Sequence, residues 1–177
     1  MDAKTFKLAA NVTAALADQW VGPVTAAMTE FGISTPERQA AFIAQCAHES
    51  MGFAYTREIW GPTASQSRYE GRTDLGNTQS GDGKRFMGRG LLQVTGRANY
   101  ATVGKRLAVN LVNSPELLEH PDLAARSAGL YWRDHGCNEL ADIGDFSSIT
   151  KKINGGLNGQ ADRELRWARA KQALDVK

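Results

Sequence analysis

Two glutamates in this chain have neighbours that could equip them for acid–base chemistry. Glu49 follows Phe42 and Cys46 at helical spacing, which puts its carboxyl on the same stripe as apolar core residues. A carboxyl at the edge of an apolar face loses hydration, and the last turn of a helix adds the negative end of the dipole; both favour the protonated form. A protonated carboxyl near neutral pH can donate to a leaving oxygen. The competing reading is a glutamate at a frayed helix end. Glu58 lies beyond the Gly52 break, beside Ile59 and Trp60. An acid on a helix end and a base on a facing loop can flank a cleft, as glycoside hydrolysis requires. A carboxyl separation of about 6.5–9.5 Å admits a water and inverts the anomeric centre, whereas about 5 Å predicts retention. Glu58 could otherwise pair with Arg57 or cap a loop. Glu70 and Asp74, set among Arg68, Arg72 and glycines, read as solvated ion-pair members.

A second concentration of polar chemistry is Gly88-Arg89-Gly90-Leu91-Leu92-Gln93-Val94-Thr95-Gly96-Arg97-Ala98-Asn99-Tyr100. Its glycines let backbone approach a bulky ligand. Gln93, Thr95 and Asn99 are uncharged donors and acceptors suited to sugar hydroxyls, acetamido groups or a positioned water, and Tyr100 could offer a ring face to a pyranose. It is equally a polar turn into a helix. It is not a phosphate loop, because no Gly-Lys-Ser/Thr follows. Asn154 precedes Gly155-Gly156, which is first of all a helix C-cap.

The elements that must position these residues are mostly helical. Leu8, Val12, Leu16 and Trp20 predict an amphipathic helix over 5–20, ended by Gly22-Pro23, with a short helix over 24–31. Ser34-Thr35-Pro36-Glu37 is a strong start signal for a helix reaching Ser50. The stretch 55–90 is rich in glycine and turn signals, with weak strand character and room for a short hairpin. Helices resume over 97–107, at Ser114-Pro115, from Pro121 to His135, from Asp145 through Ile153, and over 160–174. Leu165, Ala168 and Leu174 are the expected inner face of the last.

The 177 residues are 42% hydrophobic and 23% charged, enough for a buried core. The net charge of +2 hides local values of +5 over 57–106, +4 over 151–177 and −7 elsewhere. The first block suggests the wall of a cleft for an acidic polymer. No apolar stretch approaches the roughly 18–20 residues of a membrane span. Two cysteines and three scattered histidines exclude a disulfide framework and argue against a metal site; no cofactor is expected. The N-terminal segment lacks the apolar core of a secretory signal, so synthesis in the cytoplasm is expected. Arg68, Arg72, Lys84, Arg85, Arg89 and Arg97, interleaved with Tyr69, Phe86 and Tyr100, could meet single-stranded nucleic acid, but no recognised module accompanies them.

The pieces Ala44-Gln45-Cys46-Ala47-His48-Glu49-Ser50, Gly88 to Thr95 and Ile153-Asn154-Gly155-Gly156 occur in an order that resembles family 19 glycoside hydrolases, the plant-type chitinases and their phage and bacterial relatives. The segments 55–63 and 68–72 look specifically like the small phage lysins of that family. The resemblance implies a mainly α, lysozyme-like fold of two lobes in a single catalytic domain. Residues 1–54 and 97–177 would form the helical lobe and 55–96 the loop-rich one, inserted after the catalytic helix. It further implies inverting hydrolysis of a β-1,4 bond, with Glu49 as general acid, Glu58 as general base and Thr95 holding the water. His48, Arg89, Gln93, Asn99, Tyr100 and Asn154 would bind or shape the substrate site, and Arg163 would contribute from the last helix. Plant-type members place more residues between the two glutamates.

The resulting expectation is a monomeric, endolysin-type muramidase that acts on peptidoglycan glycan strands. It would act at the wall after release by a separate route, without stable membrane insertion or nucleic-acid binding. The alternatives are a lytic transglycosylase using Glu49 alone, a chitinase, or a non-catalytic glycan-binding module. The basic segment 163–171 raises membrane contact, against packing through Leu165 and Ala168 with a solvated outer face.

Overall fold

Helix α3 (Pro36–Glu49) organises the molecule, and the computed structural model, which describes residues 1–176, shows why it can. The Thr35 hydroxyl accepts from Arg38 N–H at 3.3 Å, Pro36 opens the first turn, and Glu37 meets the positive end of the dipole. From Ala40 to Ala47 every side chain is buried, so the helix is enclosed on all sides. Four of those positions are alanine, and their small size lets neighbouring helices pack closely.

The neighbours are α1 (Ala3–Ala10), α8 (Cys137–Asp142) and above all α10 (Gln160–Ala173). Helix α2 (Ala14–Glu30) packs on α7 (Pro121–Asp134), while α9 (Phe146–Asn154) joins α8 to α10. Phe42 meets Trp132 edge-on at 5.3 Å, and Phe146 stacks on Trp167 at 4.4 Å. Such aromatic pairs add to the area they bury.

Three expectations about the helices change. The helix expected over 5–20 is interrupted: Asn11 takes a left-handed conformation, and the Thr13 hydroxyl starts α2 by accepting from Leu16 N–H. Gly22-Pro23 does not end α2, which runs through the proline because Ala17, Trp20, Val24, Ala27 and Met28 form one continuous buried face across it. On α10 the inner face is Arg163, half-buried Trp167 and Ala170; Leu165 and Ala168 are exposed.

The chain leaves α3 through Met51, Gly52 and Phe53, three successive residues at positive φ. The Ser50 hydroxyl bridges this reversal, donating to Cys46 O at 2.6 Å and accepting from Phe53 N–H at 2.8 Å. Phe53 then anchors it between Phe6 and Trp20, at centroid distances of 5.2 and 5.4 Å.

Residues 55–96 form the loop-rich part, with only the short helices α4 (Ala64–Ser67) and α5 (Asp82–Arg85) and a 3₁₀ turn, Thr73–Leu75. In place of a hairpin, isolated bridges pair Arg57 with Arg89 and Arg89 with Val94. Buried polar side chains do the work that apolar packing does elsewhere. Asn77 donates to Tyr69 O at 2.9 Å and accepts from Arg97 N–H at 2.8 Å. Glu70 is exposed, as expected, but it accepts from the N–H groups of Gly81 and Gly83 and clamps backbone in place of joining an ion pair. Asp74 does pair with Arg72 at the surface. A small second core of Phe86, Tyr100, Leu111 and Leu118 ties this region to α6 (Arg97–Leu107) and the 3₁₀ turn Pro115–Glu119. No helix among the described residues is long and apolar enough to cross a membrane.

Candidate active site

Glu49 ends α3 with its side chain 23% exposed. The sequence expectation was a carboxyl isolated on an apolar stripe. Instead, Arg163 of α10, itself 2% exposed, donates from Nη2 to Glu49 Oε1 at 2.5 Å. The same guanidinium donates to Gln45 Oε1 at 2.5 Å and to Asn158 O at 3.1 Å. Gln45 in turn donates to Thr150 Oγ1 at 2.9 Å, so α3, α9 and α10 share one buried polar chain. A buried arginine persists only where such partners satisfy it.

His48 sits beside this network with Nδ1 2.7 Å from Asp162 Oδ2. Arg166 above all, and then His48, hold the Asp162 carboxyl below the usual carboxylate range. Gly159, at positive φ, passes so close to the His48 ring that a β-carbon there would lie 2.5 Å from Cε1. This glycine is required for the loop to cover the histidine.

Glu58 is held within the loop-rich part. Its backbone N–H donates to Gly88 O at 3.0 Å, and Gly88 N–H returns a bond to Glu58 Oε1 at 2.6 Å. Oε2 accepts from the Gln66 side chain at 3.1 Å. The bare α-carbon of Gly88 faces Gln93 and Thr95: a methyl there would collide with Gln93 Oε1 and lie 3.2 Å from Thr95 Oγ1. Gln93, at φ +55°, makes the left-handed turn that brings Thr95 back beside Gly88.

Gln93, Thr95 and Asn99 line a cavity of about 300 Å³ between α6 and α7, walled further by Leu92, Val103 and Tyr131. Asn99 donates to Thr95 O at 2.7 Å. Burial pushes the Tyr131 phenol up, with smaller contributions from Cys137 and Glu49, which ties this wall electrostatically to the α3 carboxyl. Asn154 closes α9 with its side-chain amide nitrogen buried and without a protein partner. No group of three or more His, Cys, Asp or Glu side chains able to hold a metal occurs among the described residues.

Two expected substrate contacts have other occupations. Tyr100 is fully buried, donates to Met87 O at 2.6 Å and accepts from Arg89 at 3.0 Å, so its ring cannot face a sugar. Arg89, 7% exposed, is spent on Glu119, Arg85 O and Tyr100; it braces the Gly88–Val94 turn from behind. Sequence reasoning did not find Gln66, Gln45, Asp162 or Tyr131. Glutamine and tyrosine types alone carry little signal, although Gln66 lies three residues after the Thr63 cap, the spacing of a reciprocal helix cap.

The basic block over 57–106 is partly compensated by ion pairs, two of its acidic partners, Glu119 and Asp134, coming from outside the block. Arg57 and Arg89 pair with Glu119, Arg97 with Asp82, Arg72 with Asp74 and Arg106 with Asp134.

The model of the family described as "Chitinase class I", glycoside hydrolase family 19, matches residues 5–139. A glycosyl hydrolase family 19 domain-containing protein of Haemophilus influenzae is 31% identical over 86% of this chain and 87% of its own length. Endochitinase At2g43610 of Arabidopsis thaliana is 33% identical over 66% of this chain, but the match spans only 39% of the plant protein. The fold is shared with a bacterial family 19 chitinase at TM-score 0.78 and 24% identity, covering 99% of this chain and 95% of that one. Chitinase C from Streptomyces griseus HUT6037 superposes at TM-score 0.76 and 24% identity, over 99% and 77% of the two chains. The lysozyme-like helical fold thus accompanies a family match over most of the sequence, and the chain belongs to glycoside hydrolase family 19.

Proposed function

We propose that this chain is an endolysin-type muramidase, cleaving the β-1,4 glycosidic bond of peptidoglycan by an inverting, two-carboxylate mechanism. The observation that carries the mechanism is the Glu58 setting. Both of its oxygens accept N–H donors, beside a bare glycine face flanked by Gln93 and Thr95. A carboxylate held as an acceptor keeps lone pairs free to take a proton from water, and the Thr95 hydroxyl supplies a further contact to that water.

Glu49 is assigned the general-acid role. Arg163 occupies Oε1, so the transferable proton belongs on Oε2. As the proton passes to the leaving oxygen, the guanidinium stabilises the carboxylate left behind. Glu58 takes a proton from water attacking the opposite face of the sugar, and the anomeric configuration inverts.

Peptidoglycan is favoured by the likeness of segments 55–63 and 68–72 to small phage lysins and by the bacterial relative that matches nearly end to end. We place synthesis in the host cytoplasm and action at the wall, by a monomer in which residues 1–177 form one catalytic domain. Cys46 and Cys137, both buried and free, suit folding in a reducing compartment. Chitin is the second reading, supported by the chitinase titles of the solved neighbours.

Digestion of purified peptidoglycan, followed by mass spectrometry, tests the proposal. The expected products carry reducing N-acetylmuramic acid ends with one added water, and Glu49→Gln releases none. Anhydromuramyl ends would replace hydrolysis with transglycosylation. Cleavage of chitin alone would give the substrate to the second reading, and equal wall binding without cleavage would leave a binding module.

A further inference from the structure

Glutamate ends in a broad, roughly two-fold torsion, so a carboxylate tied at one oxygen still rocks about its last bond. At Glu58 the Gly88 N–H ties Oε1, and the second tie, to Oε2, comes from Gln66. Gln66 is 6% exposed, and all of its amide bonding positions are used. Its carbonyl oxygen accepts from Gly61 N–H at 3.2 Å and Thr63 N–H at 2.8 Å. Its NH₂ donates to Ile59 O at 2.8 Å and to Glu58 Oε2 at 3.1 Å. Two backbone donors on one side fix the amide orientation, because flipping it would set NH₂ against N–H. Gln66 therefore presents a hydrogen, and not a lone pair, to Glu58. The Thr63 hydroxyl completes the assembly by accepting from Gln66 N–H at 3.2 Å.

We propose that Gln66 is the positioning residue for Glu58, locking the carboxylate plane so that one lone pair faces the attacking water. The proposal rests on the reading of Glu58 as general base. The helix cap and the Glu58 contact use opposite ends of the same amide, so a single variant separates them. In Gln66→Glu both cap bonds survive, since glutamate serves as well as glutamine at this capping position. The donors to Glu58 and to Ile59 O are lost together, and a like charge faces Glu58.

The test measures kcat, KM and the pH profile on solubilised peptidoglycan glycan strands for wild type, Gln66→Glu, Gln66→Ala and Glu58→Gln, with thermal melts of each. Expected for Gln66→Glu is a kcat per folded molecule lowered about tenfold or more, KM within about twofold and a lowered melting temperature, since the new carboxylate faces both Ile59 O and Glu58. The acid limb of its kcat profile should move to higher pH, because paired carboxylates resist joint ionisation. Wild-type kcat and an unmoved acid limb in Gln66→Glu, with Glu58→Gln inactive, overturn the role of Gln66 and leave the base standing. Full activity in Glu58→Gln overturns both. If kcat falls only in proportion to lost folded protein, Gln66 is a cap and nothing more.

Discussion

Arg163 reaches across from the last helix to place its guanidinium 2.5 Å from the Glu49 carboxylate, with a second arm on Gln45. The third and last helices are thereby joined at the residue assigned to proton donation. Removing the arginine strands Gln45 and Glu49 together. Arg163→Met should lower stability by about 2–3 kcal/mol, the scale of a lost charged hydrogen bond in a buried setting. In urea melts, a double-mutant cycle with Glu49→Gln should return a coupling of about 1–2 kcal/mol. Strict additivity would show that the pair contributes nothing.

Gly88 offers a local test of the cleft floor. Its φ is ordinary, so alanine is permitted by the backbone, and the clash is with the tip of Gln93 and the Thr95 hydroxyl. Gly88→Ala should fold with stability within about 1 kcal/mol of wild type while kcat falls about ten- to a hundredfold, as expected when reacting groups are displaced by around an ångström. Turbidity clearing of wall suspensions, alongside a melt, checks both halves.

Tyr100→Phe distinguishes packing from sugar contact. The hydroxyl satisfies Met87 O and receives Arg89, so its loss should cost about 1–2 kcal/mol. Because the ring is enclosed, KM for glycan should stay unchanged. A rise in KM without loss of stability would return Tyr100 to the substrate site.

Acid sensitivity should centre on the loop-rich part. The Arg97 hydrogen bond, opposed by burial and aided by the Gln79 N–H, holds Asp82 below the usual carboxylate range. With the folded value depressed, the unfolded state binds more protons between the folded value and about 3.9, so stability rises with pH in that window. The contribution is complete above about pH 4 and is lost as pH falls through the folded value. Urea midpoints measured from pH 7 downward should therefore fall below about pH 4, and Asp82→Asn should flatten that fall. The variant should also be about 3 kcal/mol less stable at neutral pH, since Asp82 is 1% exposed and its loss leaves Arg97 unpaired.

What could be read from the sequence was whatever local chemistry decides. The Thr35-Pro36-Glu37 start and the Asp145 cap announce α3 and α9 because capping is a short-range interaction. The passage of α2 through Pro23 could not be read, since packing of Trp20, Val24 and Met28 outweighs a local penalty of about 3 kcal/mol. The inner face of α10 was misassigned for a related reason. Leu165 is the more apolar residue, yet Arg163 is buried because Gln45 and Glu49 lie on the facing helix. The segmental charge pattern was real, but Glu119 and Asp134 of the acidic remainder fold back onto Arg89 and Arg106. Two of the block's five excess positive charges are thereby offset. Glu49 and Glu58 were legible as carboxyls of interest, whereas their holders, Arg163 and Gln66, come from sequence neighbourhoods that carry no such signal by themselves.

Cys46 lies one turn before Glu49, fully enclosed, and burial pushes its thiol well above the usual range. A thiol in that state is silent toward alkylating reagents until the helix around it parts from its neighbours. Cys137 is likewise enclosed on α8, its thiol raised to about 12. The molecule thus carries two timers, one on the helix that ends at Glu49 and one on the helix beside it. The order in which they become reactive reads out which layer opens first.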